Sequence, residues 1–482
     1  MVILLVQAAL SLRLVRANTA FNDEALYLWA GHLEWAHWLH GTRIPAFPTY
    51  FSGAPVIYPP LGALADSVGG LTGARTLSLC FMLGASTLLW ATARRLYGQR
   101  AAFFAAGLWV ALGPTQRLGA FATYDPMALF LVALSAWCAT GGRGRREAVR
   151  WMFAGACALV LANATKYATA LFDPVVVGLA LLAGYPPGGR VAKRRAAYLL
   201  AVTIAATIAL LEIGRGWYLE GIDQTTLTRQ GGSSPVSMVL RSAWDWTAVV
   251  IVLSMLAVAV SIKTERPAAR WLLALLAGAA LLVPIEQARI HTYTSLSKHV
   301  DFGAWFAVIA VGYVADRAVG WLSGRRLQAA ATVIGGLFLA PVALVGTAQA
   351  DSFFKWPGTA DIIPVLRQIT GHGGRFLADN VPPLEYYLPR TSWRQWSSVY
   401  SITLPSGVRQ TEESSAFGPY RERLAEHYFK LVVLAFSDKP QLDHEIAKYL
   451  SSDRSYRFVG TVPFSNPGST GSYLLWVYRG AR

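Results

Sequence analysis

The run Arg194-Arg195-Ala196-Ala197-Tyr198-Leu199-Leu200-Ala201-Val202-Thr203-Ile204-Ala205-Ala206-Thr207-Ile208-Ala209-Leu210-Leu211-Glu212-Ile213 decides the fold class. Basic residues lead into an apolar stretch with a single acid near its far end. One helix needs about 20 such residues to cross the hydrocarbon core of a bilayer. Comparable segments lie near 1–15, 74–92, 101–113, 124–140, 151–165, 168–184, 243–262, 269–285, 302–316 and 328–348. The 482 residues are 54% hydrophobic and only 15% charged, whereas about a quarter are charged in an average soluble chain. The sequence predicts a polytopic α-helical membrane protein of about eleven transmembrane helices.

Charge sorts the connections into two sets. One holds Arg94, Arg95 and Arg100, then Arg143, Arg145, Arg146 and Arg150, then Arg190, Lys193, Arg194 and Arg195. It continues with Lys263, Arg266 and Arg270, and with Arg317, Arg325 and Arg326. Short basic loops stay cytoplasmic. Loops 16–57, 114–123, 214–242 and 286–301 are then extracytoplasmic, together with everything after the last helix. The net charge of +16 is topological in this reading, which removes nucleic acid as a partner. Cys80, Cys138 and Cys157 fall in apolar segments without ligand spacing, so they predict neither disulfides nor a zinc site. Composition turns soluble near Asp351. Strand-like Arg375–Asp379, Lys430–Phe436, Tyr456–Val462 and Tyr473–Tyr478 alternate there with helical pieces near Tyr420–His427 and Leu442–Leu450. The chain divides into a membrane domain, 1–349, and a small extracytoplasmic α/β domain, 350–482. Richness in Ala, Leu, Arg and Gly suggests a bacterial cell membrane.

Ionisable residues gather in the extracytoplasmic set. In Phe21-Asn22-Asp23-Glu24-Ala25-Leu26-Tyr27 two adjacent carboxylates precede a segment with Leu26, Ala30, Leu33 and His37 at helical spacing and Trp29, Trp35 and Trp38 beside them. That pattern suits a helix lying in the lipid interface. The plain alternative is a helix start, with Asn22 as N-cap and acids in the first turn. Further along stand Tyr58-Pro59-Pro60-Leu61, Arg75, Arg117, Tyr124-Asp125-Pro126, Lys166-Tyr167, Arg289-Ile290-His291 and Lys298-His299. Each has a structural reading too: Asp125-Pro126 opens a helix, while Lys166 and Arg75 reach toward the interface. Charges recurring at one membrane face mark a functional site. Carboxylates suit a general base or a divalent metal ion, and Lys and Arg suit phosphate. Together they point to a lipid-phosphate substrate.

The order of these motifs resembles the GT-C membrane glycosyltransferases, among them protein O-mannosyltransferase-like enzymes and lipid A aminoarabinose transferases. The likeness covers roughly 18–185 and, more loosely, 286–312. Asn22-Asp23-Glu24-Ala25-x-Tyr27 is similar to the family's Asp-Glu signature, and Tyr58-Pro59-Pro60-Leu61 to its Pro-Pro-Leu element. Gly73–Ser78 and Ala93–Gly98 resemble its second helix and the following loop. Tyr124-Asp125-Pro126-Met127 resembles a Thr-Asp-x-Pro helix start, and Thr165-Lys166-Tyr167 a Thr-Lys element. Lys298-His299 resembles a basic-aromatic pair before a late helix. Many relatives carry Glu-Lys ahead of Pro-Pro-Leu where Ile57-Tyr58 stand here, and Pro126 follows Asp125 one residue early. The resemblance implies sugar transfer with inversion, on the outer face, from a polyprenyl-phosphate-linked sugar to a hydroxyl of a protein, lipid or glycan. Asp23, Glu24 and Asp125 are then the candidate catalytic carboxylates, Asp23 as general base. Lys166, Arg75, Lys298 and Tyr58 are candidates for the donor phosphate, and a divalent metal ion on Asp125 is a candidate cofactor. Trp393-Arg394-Gln395-Trp396 reads as a core edge or as a sugar-stacking surface. Two rival readings are a transporter or lipid flippase, which should place ionisable groups in mid-membrane, and a membrane scaffold. Glu212 is the one acid that the sequence places clearly inside an apolar run.

Overall fold

The computed structural model describes the chain apart from residues 143–144, 184–188, 215, 228–230, 400–401, 404–408, 411–416, 438, 465–469 and 481–482. Arg143 and part of loop 214–242 therefore lie outside the described residues. Two compact units emerge. The membrane unit comprises Met1–Val15 and Gly31–Asp351, and the C-terminal unit Arg16–Ala30 and Ser352–Arg482. The composition boundary near 350 thus leaves out Arg16–Ala30, which pack with the C-terminal residues.

The helices in order are α1 (Val2–Leu12), α2 (Asn22–His40), α3 (Tyr58–Tyr97), α4 (Gln99–Ala111), α5 (Gly113–Leu118), α6 (Tyr124–Ala139) and α7 (Arg145–Thr165). Next come α8 (Asp173–Leu182), α9 (Arg190–Ile213), α10 (Trp217–Ile222), α11 (Val236–Thr264), α12 (Pro267–Arg289) and α13 (Leu296–Gly320). The membrane unit closes with α14 (Arg325–Leu337) and α15 (Leu339–Ser352). Among the described residues seven spans, Tyr58–Tyr97, Arg146–Thr165, Arg190–Ile213, Val236–Thr264, Pro267–Arg289, Leu296–Gly320 and Arg325–Ser352, are long and apolar enough to cross a membrane. Shorter apolar helices occupy Val2–Leu12, Tyr124–Ala139 and Tyr167–Leu182. This is a multi-pass helical membrane protein. α3 bends at Gly69-Gly70, where Gly70 takes φ +59, a conformation open to glycine at little cost.

α13 is the centre of the membrane unit, with 72% of its apolar window buried. Small residues set its contacts: a Cβ at Gly303 would lie 2.4 Å from the Ala279 carbonyl, and one at Gly312 2.3 Å from that of Ala101. The second half of α2 is bolted to the start of α3. Gly31 leaves no room for a Cβ against the Pro59 carbonyl, 1.9 Å away. His32 Nε2 meets Asp66 Oδ2 at 2.7 Å, and Trp35 Nε1 donates to the Pro60 carbonyl at 3.0 Å. Of the Leu26, Ala30, Leu33 and His37 face only Ala30 is buried within the protein, beside Tyr27, Gly31 and Glu34, because small residues at two successive positions admit a neighbouring backbone.

In the C-terminal unit, α16 (Ile362–Thr370), α17 (Pro382–Tyr387), α18 (Gly418–Ala425) and α19 (Pro440–Ser452) surround a sheet. Its strands are β1 (Phe376–Ala378), β2 (Trp396–Ser398), β5 (Leu431–Leu434), β6 (Tyr456–Pro463) and β7 (Ser472–Tyr478), and β3 (Ile402–Thr403) with β4 (Arg409–Gln410) forms a separate pair. The order is β2-β1-β5-β7-β6, parallel across the first three strands and antiparallel beyond. Alternation divides the core between two faces: Phe376, Leu431 and Val433 on one, Leu377, Val432 and Leu434 on the other. Trp396 joins the first cluster against Phe376, so the second tryptophan of the Trp393–Trp396 run is core. Arg16–Ala30 are tied in through Asn18, whose Nδ2 donates to the Phe354 and Trp356 carbonyls, and through Phe21, whose ring meets Trp356 at 5.1 Å.

Candidate active site

Three helix ends bring one carboxylate and two ammonium groups together inside the membrane unit. Asp125 stands in the first turn of α6, Lys166 immediately after α7, and Lys298 in the first turn of α13. All three are buried, Asp125 completely. Lys166 Nζ donates to Asp125 Oδ1 at 2.6 Å, Lys298 Nζ lies 3.6 Å from Oδ2, and Thr123 Oγ1 donates to Oδ2 at 2.9 Å. His299 Nε2 lies 2.8 Å from Lys166 Nζ and 3.8 Å from Asp125 Oδ1. Aromatic faces complete the cradle: Lys166 lies 4.7 Å from the Tyr124 ring, and Lys298 and Arg117 lie 5.7 and 4.7 Å from Phe121. Arg117 also donates to Ser297 Oγ. The formal charges of Lys166, Lys298, Arg117 and Asp125 leave a cationic surplus in an enclosed, apolar setting. Such a site attracts an anion, because charge-assisted hydrogen bonds strengthen where water is scarce.

Lys166 is held in place from both sides. Its backbone is extended between α7 and the turn Tyr167–Phe172. The strap Ser52–Ala54 runs against it: Ala54 N–H donates to the Ala164 carbonyl at 2.7 Å, and Tyr167 N–H to the Ser52 carbonyl at 2.9 Å. Gly53 allows that approach, since a Cβ there would lie 2.1 Å from the Thr165 carbonyl.

The other sequence candidates take different places. Asp23 and Glu24 open α2 in the C-terminal unit. Glu24 is fully buried, and its Oε2 accepts the Phe21 backbone N–H at 2.9 Å. It therefore caps the helix, in the manner of a capping-box glutamate. Asn22, the expected N-cap, does no such work, since its buried Oδ1 accepts no hydrogen bond. Asp23 is half-buried. Arg75 is fully buried, and its Nη1 donates to the Val15 carbonyl at 2.9 Å, which anchors the chain beyond α1. Tyr58 is the buried first residue of α3.

Asp125 fits a metal ion poorly. Both its oxygens already face hydrogen-bond donors, and the surrounding ammonium groups would repel a dication. Among the described residues no group of three or more His, Cys, Asp or Glu side chains is placed to hold one. Sequence reasoning also missed several polar groups. Gln287 is one, reaching the candidate His299 at 3.1 Å, and it is His299 that meets Lys166, at 2.8 Å. Asp301 on α13 is fully buried and accepts from Thr115 Oγ1 at 2.7 Å, and Asp173 on α8 accepts from Asn163. Glu212 is thus one of several acids on apolar helices.

Residues 63–212 match the family model described as dolichyl-phosphate-mannose-protein mannosyltransferase. No curated protein matches the chain significantly. Among solved structures it is similar to ArnT from Cupriavidus metallidurans bound to undecaprenyl phosphate, with TM-score 0.60, 15% identity, and 98% of this chain and 96% of that one covered. It is also similar to the Archaeoglobus fulgidus oligosaccharyltransferase complex with Zn and sulfate, at TM-score 0.55 and 14% identity, covering 98% and 72% of the two chains. A third is the mycobacterial arabinofuranosyltransferase AftD, at TM-score 0.54 and 15% identity, covering 98% and 41%. The chain has the fold of the GT-C membrane glycosyltransferases.

Proposed function

We propose that this protein is an integral-membrane glycosyltransferase that moves a sugar from a polyprenyl-phosphate donor to an acceptor hydroxyl on the extracytoplasmic face of a bacterial membrane. The observation that carries the reading is the convergence of Lys166 and Lys298 on buried Asp125, within a fold shared with a structure that holds undecaprenyl phosphate. The lysines hold the donor phosphate. Asp125 is their counter-ion, which keeps two buried ammonium groups stable and in place before the donor arrives. We assign no metal to it.

In the reaction, the sugar C1–O bond to phosphate breaks and its electron pair leaves on the phosphate, where Lys166 and Lys298 stabilise the growing charge. The acceptor oxygen bonds C1 from the opposite side, which inverts the centre, and its proton passes to a carboxylate. Asp23 is our choice for that base. Glu24 shapes the helix start, Arg75 secures the chain near Val15, and Tyr58 orders the start of α3. The C-terminal unit presents the acceptor.

The test is transfer from a panel of radiolabelled polyprenyl-phosphate sugars by purified protein, with native membranes as acceptor source. One active donor names the sugar. Removing a general base lowers rate by about 10²–10⁴-fold, so Asp23→Ala should lose transfer by that order while keeping its elution profile. Full activity in that variant assigns the base elsewhere. No transfer from any donor, with divalent ions added, favours the transporter reading.

A further inference from the structure

One edge of the C-terminal sheet carries a row of cations. Pairing sets Phe376 of β1 beside Trp396 of β2 and Leu431 of β5, Leu431 beside Val477 of β7, and Tyr478 beside Tyr456 of β6. At the edge marked by these residues every strand meets a basic residue. In spatial order they are Arg394, Arg375, Lys430, Arg479 and Arg454, each one or two positions beyond its strand. Neighbouring strands lie about 4.8 Å apart, so the cations follow one another at short intervals. The four arginines are exposed and Lys430 is half-buried. Two acids near the row are engaged: Glu426 Oε2 pairs with Arg423 at 3.2 Å, and Asp453 Oδ1 accepts the Ser455 N–H at 2.8 Å. The edge keeps a net positive charge, whereas the other end of β1 runs into Asp379.

Local packing holds part of the row in place. Arg375 Nη1 donates to the Arg394 carbonyl at 3.1 Å and Gln395 Nε2 to the Gly374 carbonyl at 3.0 Å, which ties together the loops ahead of β1 and β2. The guanidinium groups of Arg375 and Arg394 each lie 5.1 Å from a ring, of Tyr428 and Trp393 respectively. The Lys430 stem crosses Gly374, where a Cβ would lie 2.3 Å from Lys430 Cδ. Guanidinium planes held against rings present N–H groups that match the oxygens of a carboxylate or phosphate. We propose that this edge binds an acidic glycan, the anionic chain of the acceptor; the proposal rests on the reading that the C-terminal unit presents the acceptor. A linear chain with an anionic group on successive sugars can follow cations set out strand by strand. A membrane surface needs only net positive charge, but here stacking fixes individual side chains and lowers the ordering cost of binding. Trp393 and Arg394 thereby gain a use beyond the core that Trp396 joins.

The experiment is binding of polygalacturonate oligosaccharides to the full-length protein in phosphatidylcholine nanodiscs, with neutral dextran and phosphatidylglycerol vesicles as the other probes. Arg375→Gln with Arg394→Gln, and Lys430→Gln with Arg479→Gln, each remove two charges from the edge, so a fold defect in one pair leaves the other to decide. Lys439→Gln with Lys448→Gln removes two charges from the start and middle of α19, beyond the far end of β5. Exposed ion pairs are weak singly, so each edge pair should weaken polygalacturonate binding about three- to tenfold. The α19 pair should stay within about twofold of wild type because charges off the row are screened, and dextran should not bind. Equal weakening by the α19 pair would mean that net charge alone is read, and overturns the inference. So does absence of polygalacturonate binding, or capture of the vesicles in its place with the same dependence on the edge pairs. Transfer from the donor panel is measured separately. Transfer without polygalacturonate binding overturns this inference alone; edge-dependent binding without transfer from any donor overturns the transferase reading and leaves an acidic-glycan surface.

Discussion

At the residue scale, Asp125 decides how the site is built. A carboxylate between two buried lysines serves either as a chemical participant or as the charge that lets the lysines be buried, and the two roles differ in what replaces it. Removing one partner from a buried ion pair costs about 3–5 kcal/mol, so Asp125→Ala should lower thermal stability by that order. Undecaprenyl phosphate should restore part of the loss in Asp125→Ala, because its phosphate supplies the missing negative charge, and should stabilise wild type less. A thermal shift that is the same with and without the lipid would count against the counter-ion role. Glu24 separates from Asp23 by the same logic. Glutamine at position 24 still offers an oxygen to the Phe21 N–H, so Glu24→Gln should retain transfer, whereas Asp23→Asn should not. Loss of transfer in Glu24→Gln with an unchanged melting temperature would return Glu24 to the chemistry. The sequence made Asp125, Lys166 and Lys298 legible as charges at helix ends. It did not reveal that all three meet at Asp125, and Gln287 left no local pattern at all, because its contact with His299 is made by packing between α12 and the start of α13.

At the element scale, the strap Ser52–Ala54 positions Lys166. It has no regular structure and no apolar period, so nothing in its sequence except glycine at position 53 hints at a backbone contact. The long helices were legible because a bilayer demands sustained apolar runs, and each apolar run falls on a helix. The start of α13 was not: Leu296-Ser297-Lys298-His299 is polar, and the helix begins after Ser295 in a left-handed turn at φ +63, so hydropathy places its start six residues late. α16, α17 and β2 are too short to announce themselves. The strap yields a direct prediction. Gly53→Ala puts a methyl group where the Thr165 carbonyl now sits, and overpacking of this kind costs about 1–3 kcal/mol. The strap should lift from α7, and undecaprenyl phosphate affinity should fall more than global stability does. An unchanged Kd with a lowered melting temperature would make the strap a fold element alone.

At the scale of the whole molecule, the C-terminal unit has its own stability, and one residue makes it depend on pH in an unusual direction. Glu385 on α17 is buried, and that burial raises its carboxyl from 4.5 to about 8. A carboxyl that is harder to ionise in the folded state than in the unfolded chain favours folding while both forms are neutral, below about pH 4.5. As pH rises above that value the unfolded chain ionises first and gains on the folded state. The loss grows through neutral pH and levels off only once the folded carboxyl ionises too, above about pH 8. Most proteins lose stability in acid as paired carboxylates are protonated; this group works in the opposite sense. Glutamine cannot ionise, so Glu385→Gln should remove the dependence. The variant-minus-wild-type stability difference, followed by thermal unfolding in detergent, should grow by a few kcal/mol between about pH 5 and pH 8. A difference that stays constant over that range would mean that the carboxyl is ionised in the folded state throughout. α17 follows β1 directly, and Ala20 N–H donates to the hydroxyl of its Tyr387 at 2.9 Å. Ionisation of Glu385 in the folded protein therefore strains the element that holds the residues just ahead of Asp23, and transfer activity should decline as the pH rises through about 8 in wild type but not in Glu385→Gln.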